Sequence, residues 1–189
     1  MYGVIFQTKW TFLTLFLLTP ISVNLEEFVP GIGVFVPTEP LLAGLTVLAI
    51  ALQLKKSFIP AFIWKSPLTW LVIAYLTWIF ITSLTSTDPV VSTKFLLAKS
   101  WFVVPIFAFG AVLFQNRKNV IMALWLFCIG MIMAMLYTLA IHASYQFGEQ
   151  EGHWVMSPLF KDHTIYGAMV AFTLPLLVGI YRSKKHPPL

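Results

Sequence analysis

The chain has 189 residues, of which 59% are hydrophobic and only 10% charged, with a formal net charge of +5. A soluble domain is about one-quarter charged, so these charges are too few to cover a water-soluble globule. The basic residues lie between apolar blocks rather than in a stripe with interleaved aromatics, which argues against a nucleic-acid partner.

The apolar residues come in long blocks rather than at amphipathic spacing, as in helices whose solvent is lipid. A bilayer core of about 30 Å needs roughly 20 helical residues. Six spans are predicted in chain order: Val4–Val23, Pro37–Leu54, Pro67–Leu84, Phe95–Phe114, Val120–Ala143 and Thr164–Tyr181. The first begins like a secretory signal, with Lys9 before the run Trp10 to Leu18. Thr19-Pro20-Ile21-Ser22-Val23 offers no small-x-small cleavage site, so an uncleaved span is expected. In the second, Thr38 is the expected cap, with Glu39 and Pro40 in the first turn. Asp88-Pro89 forms a cap-and-start pair for a helix running through Phe114. The fifth span carries the single cysteine, Cys128, read as a packing thiol. Asp162 or Thr164 is expected to cap the sixth. Pro105 and Pro175 lie inside spans and should kink them. The second, third and sixth spans are short for a bilayer. The expected fold is all-α, one polytopic transmembrane helical bundle of about six spans.

Loop charge sets the orientation. One set of loops holds Lys9, Lys55, Lys56, Lys65, Arg117, Lys118, Arg182, Lys184 and Lys185. The alternate set holds only Lys94, Lys99 and Lys161. The positive-inside rule places the first set, and with it both termini, in the cytoplasm. All seven acids fall on the other side.

Soluble-enzyme signatures are absent: no phosphate-binding glycine-lysine loop, no His-Glu-x-x-His, no nucleophile elbow and no Cys-x-x-Cys. No metal site or cofactor is expected. Gly31-Ile32-Gly33 reads as a loop turn. Four outer-side features remain. Glu26 and Glu27 are adjacent carboxylates that either hold a sugar hydroxyl or are simply solvated. Lys94 and Lys99 lie near the start of the fourth span. Lys99 either snorkels to the interface or points its cation at an anionic head group. His142, near the outer end of the fifth span, is an interfacial hydrogen-bonded histidine or an acid-base group. Lys161-Asp162-His163 puts a cation, a carboxylate and an imidazole at a helix start, where Asp162 either joins a polar site or simply caps the helix.

These segments together resemble the bacterial O-antigen ligase/polymerase-like membrane proteins. Pro20-Ile21-Ser22-Val23-Asn24-Leu25-Glu26-Glu27-Phe28 followed by Pro37-Thr38-Glu39-Pro40-Leu41 is similar to their opening. Ser86-Thr87-Asp88-Pro89 leading to Lys94 and Phe95-Leu96-Leu97-Ala98-Lys99 resembles their third outer segment. Phe160-Lys161-Asp162-His163 with Tyr166-Gly167-Ala168 and Pro175-Leu176-Leu177 resembles the start of their next span. The resemblance implies a metal-independent glycosyltransferase of the bacterial inner membrane. Such enzymes move a glycan from a polyprenyl-diphosphate carrier to an acceptor on the periplasmic face. The outer-side features above supply the candidate site residues: Lys94, Lys99, Lys161, Glu26 and Glu27 for substrate binding, and His163, Asp162 and His142 as catalytic candidates. Family members are longer and carry an outer loop with arginine and histidine in their second half. The only arginines here, Arg117 and Arg182, are on the cytoplasmic side. None is left to grip a diphosphate bidentately outside. The expectation is therefore an N-terminal half that supplies scaffold and part of the substrate cavity.

Two other classes stay open. Intramembrane prolines with near-membrane Lys and His are compatible with a small transporter, although neither a repeat nor midplane charge is evident. Gly130 and Ala134, four apart on one helix, form a small-xxx-small pattern that would suit a membrane assembly partner.

Overall fold

The computed structural model describes residues 2–29, 33–55 and 57–185. Gly31 and Ile32 of the glycine turn and Lys56 of the basic set lie outside these ranges. The chain is mostly helical. In order come α1 (Tyr2–Leu18), β1 (Val23–Asn24), β2 (Phe35–Val36), α2 (Thr38–Lys55), α3 (Ala61–Trp64), α4 (Pro67–Leu84), α5 (Pro89–Leu113), α6 (Arg117–Ser144) and α7 (His163–Lys185). Among the described residues five helices, α2, α4, α5, α6 and α7, are long and apolar enough to cross a membrane. They expose large apolar side chains, among them Trp70, Leu71 and Trp78 on α4, Leu136 and Leu139 on α6, and Phe172 and Leu174 on α7. Water would oppose so much exposed apolar surface, whereas a bilayer solvates it.

α1 departs from its expected range. It has 17 residues and ends at Leu18 rather than Val23. Pro20 is the cause: it has no N–H to donate, and its ring crowds the carbonyl four residues back. The chain tightens into a 3-10 turn over Thr19–Ile21 and then extends. β1 pairs with β2 antiparallel, Val23 opposite Val36 and Asn24 opposite Phe35. The Asn24 side chain accepts from the Glu26 N–H at 3.1 Å and starts a second 3-10 turn, Leu25–Glu27. Thr38 is not the cap of α2 but its first residue, and its hydroxyl meets that of buried Ser22.

Packing divides the chain into two compact units, Met1–Thr38 with Arg117–Leu189, and Glu39–Asn116. Within the second unit α4 packs on α5. Ser66 caps α4 by accepting from the Leu68 N–H at 3.3 Å, and Asp88 caps α5 by accepting from the Val91 N–H at 3.2 Å. The buried Thr69 hydroxyl donates to the Ile63 carbonyl at 2.5 Å, and the Phe58 and Phe109 rings meet edge to face. Pro105 lies inside α5.

Within the first unit α6 packs against both α1 and α7. A Cβ on Gly130 would overlap the Leu17 carbonyl oxygen and lie 3.2 Å from Pro20 Cδ. The missing side chain therefore lets the backbones of α1 and α6 touch. In lipid, where helices gain little from burying apolar area against each other, such close approach is a main source of association. α7 runs antiparallel to α6: His163 and Tyr166 lie beside Thr138 and His142, and the Phe172 ring meets Phe127.

Candidate functional site

The site forms where α6 ends. Gln146 and Phe147 both take left-handed φ values, 56° and 57°. For side chains other than glycine this costs roughly 1–2 kcal/mol per residue. The turn recovers hydrogen bonds in exchange. The Tyr145 and Phe147 N–H groups both donate to the His142 carbonyl, at 3.2 and 3.0 Å. It also brings the Gly148 carbonyl 3.0 Å from His142 Nε2. A carbonyl only accepts, so Nε2 carries the proton and, in the neutral ring, Nδ1 is left as an acceptor. The Phe147 ring meets the imidazole edge to face.

The following segment folds back on the helices. A 3-10 turn, Glu151–His153, leads into Val155, Met156 and Phe160, which are buried with Met131 and Ala134. The Asn24 N–H donates to the Pro158 carbonyl at 3.0 Å, and the Tyr137 hydroxyl to the Ser157 carbonyl at 3.3 Å. The segment is thereby tied to β1 as well as to α6.

Beneath it lies a cavity of about 460 Å³. Its apolar wall includes Ile132, Leu136, Leu139, Val155 and Met156, and its polar groups are Thr138, His142, His163 and Tyr166. Thr138 is only 5% exposed, and its hydroxyl has no hydrogen-bond partner. At the start of α7, Asp162 accepts from the Ile165 N–H at 2.8 Å, which makes it the cap. Thr164 lies inside the helix. The Nδ1 atoms of His163 and His153 stand 3.5 Å apart with their rings nearly perpendicular.

Of the residues singled out in the sequence, His142 and His163 line this cavity, and Asp162 caps the helix that carries His163. Lys161 is exposed beside them. Glu26 and Glu27 are exposed on their 3-10 turn, as solvated carboxylates would be. Lys94 and Lys99 belong to the other unit. Lys94 is exposed; Lys99 is half-buried, with its ammonium 5.3 Å from the centre of the Phe95 ring. Among the described residues no group of three or more His, Cys, Asp or Glu converges. Two site residues escaped the sequence reading, Thr138 and His153. Both had a signal. Thr138 precedes His142 by four residues, one turn along the same helix face. Three of the four histidines fall between positions 142 and 163. No protein-family model matches this chain, and no curated protein or solved structure matches it either.

Proposed function

We propose that this chain is an O-antigen-ligase-like membrane protein of cell-surface polysaccharide assembly. It crosses the bacterial inner membrane six times with both termini in the cytoplasm. It helps transfer a glycan from a polyprenyl-diphosphate carrier to an acceptor at the periplasmic face. The observation that carries the reading is the cavity beside His142 and His163, at the end of α6 and α7 remote from Arg117 and Arg182. The positive-inside rule assigns the arginine ends to the cytoplasm, which puts the cavity at the outer face. Leu136 and Leu139, in its wall, are 61% and 55% exposed on a helix suited to lipid, while Thr138 and the two imidazoles offer hydrogen bonds. A substrate with an apolar tail in the bilayer and a polyhydroxyl head above it matches both walls. The ordered motifs around Glu26-Glu27, Asp88 to Lys99 and Lys161 to Gly167 favour the same substrate class. With no outer-face arginine to grip a diphosphate, the chain's part is scaffold and substrate cavity rather than the main catalytic loop.

The test replaces the chromosomal gene in the native host with His163→Ala and, separately, Lys99→Ala, at protein levels matched by immunoblot. Both should lower the amount of long-chain lipopolysaccharide on a gel. Unchanged ladders in both strains would remove the site assignment.

A further inference from the structure

Two imidazoles face each other at the edge of the cavity. His153 ends the 3-10 turn Glu151–His153, and His163 is the first residue of α7. Their Nδ1 atoms are 3.5 Å apart while the ring centres are 4.6 Å apart, so the nitrogen-bearing edges are turned toward each other. Two imidazoles that share one tetrahedral ion through bonds of about 2.1 Å hold their nitrogens about 3.4 Å apart. The nitrogen spacing is therefore that of a chelating pair, while the ring centres are closer than the roughly 5.3 Å of two rings aimed at one ion, so a rotation of the exposed side chains is needed to bring both lone pairs onto it. Both rings are exposed, which gives an ion a way in and room for water in its shell. Both are also held from behind. The Asp162 cap fixes the start of α7, and the His153 N–H donates to the Gln150 carbonyl at 3.2 Å in a turn anchored by buried Val155 and Met156. The backbones that carry the two rings are thus already placed, and side-chain rotation is the ordering left for a metal to impose.

We propose that His153 and His163 form a two-imidazole site for a borderline transition-metal dication of the Zn²⁺, Ni²⁺ and Cu²⁺ class. Imidazole nitrogen selects these ions over Mg²⁺ and Ca²⁺, which take oxygen ligands. No third protein ligand joins the pair among the described residues, so water or a ligand oxygen fills the remaining positions. His163 also lines the cavity, so the ion has an open coordination position next to that space. The ion pins the segment that follows α6 to the start of α7. The site stands on this geometry alone and not on the glycan-transfer reading.

The test uses the full chain, purified in detergent through a tag free of histidine, with Cu²⁺ as the probe and electron paramagnetic resonance as the readout. The wild type should bind one Cu²⁺ per chain with coupling to two nitrogens, and Zn²⁺ should compete. His153→Ala and His163→Ala should each lose one nitrogen coupling and bind at least about tenfold more weakly. His142→Gln should keep the signal. His163→Gln, which retains side-chain volume, replaces the alanine variant if that one elutes as aggregate. Binding of equal strength in both histidine variants would place the metal elsewhere and overturn the proposal. So would the absence of saturable binding in the wild type, which would leave the pair as a hydrogen bond between two rings. Glycan transfer is not part of the readout, so failure here leaves the functional reading standing.

Discussion

Substituting Gly130 tests how the first unit is held together. A Cβ there overlaps the Leu17 carbonyl oxygen and comes within 3.2 Å of both Leu17 C and Pro20 Cδ. Leu17 C and O belong to backbone, and Pro20 is a ring locked in the chain, so neither can swing aside. Relief requires α1 to back away from α6 by roughly 1 Å, which forfeits a good part of each dispersion contact along the crossing. Phe12, Leu13 and Leu15 of α1 are almost fully buried and would lose packing together. Overpacking of this kind costs about 1–3 kcal/mol. Alanine also gains up to about 1 kcal/mol over glycine inside a helix, so Gly130→Ala alone would understate the clash. Gly179→Ala supplies the reference: it sits in α7 with nothing within 4 Å of its added methyl, so it takes the helical gain without the clash. The difference between the two variants isolates the contact. At about 2–4 °C per kcal/mol for a chain of this size, their melting midpoints should differ by roughly 2–12 °C. The assay is built into the molecule. Cys128 is the single cysteine and is fully buried on the same helix, so a thiol-reactive fluorophore reports the opening of α6 on heating. Equal midpoints for Gly130→Ala and Gly179→Ala would refute the backbone-to-backbone contact.

The remaining predictions concern the cavity end. Asp162→Ala should cost about 1 kcal/mol by removing the cap on α7, seen as a lower midpoint and faster hydrogen exchange at the Ile165 amide, while Asp162→Asn should hold both. Thr138→Val keeps shape but removes a buried hydroxyl without a partner, so it should stabilise the fold by about 1 kcal/mol, read as a higher midpoint, while lowering the yield of long-chain lipopolysaccharide. A lowered midpoint would mean that the hydroxyl is already satisfied within the fold.

What could be read from the sequence depended on how local the cause was. The helix Pro67–Leu84 coincides with an apolar block that has no internal charge and has Ser66-Pro67 at its head. α5 begins at Pro89, six residues before the predicted span Phe95–Phe114. Lys94 depresses hydropathy there, but the Asp88-Pro89 pair marks the true start, because a capped backbone sets a helix end more sharply than composition does. α1 was overextended because its apolar run continues through Ile21 and Val23, while Pro20 had already ended the helix. The β1–β2 pairing joins residues about a dozen apart through two positions on each side, and no periodicity announces so short a ladder. The same holds for His153 and His163. They are ten apart in an irregular segment, and they meet only because Val155, Met156 and Phe160 are drawn onto α6.

One face of α6 connects these parts. Gly130, Ala134, Thr138 and His142 recur every fourth residue and so form a single ridge along the helix. In the sequence the first two suggested a surface for another polypeptide. In the fold both are used within the chain: Gly130 receives the backbone of α1, and Ala134 is buried beneath Val155, Met156 and Phe160. The third and fourth members then line the cavity with a hydroxyl and an imidazole. Along the ridge the residues change from no side chain, to a methyl, to groups that hydrogen-bond, as the helix nears its histidine end. Gly130 brings α1 close, and Ala134 brings close the returning segment, whose Val155 and Met156 form part of the cavity wall. A bulky residue at position 134 would therefore disturb the site through its enclosure, with every polar group of the cavity still in place.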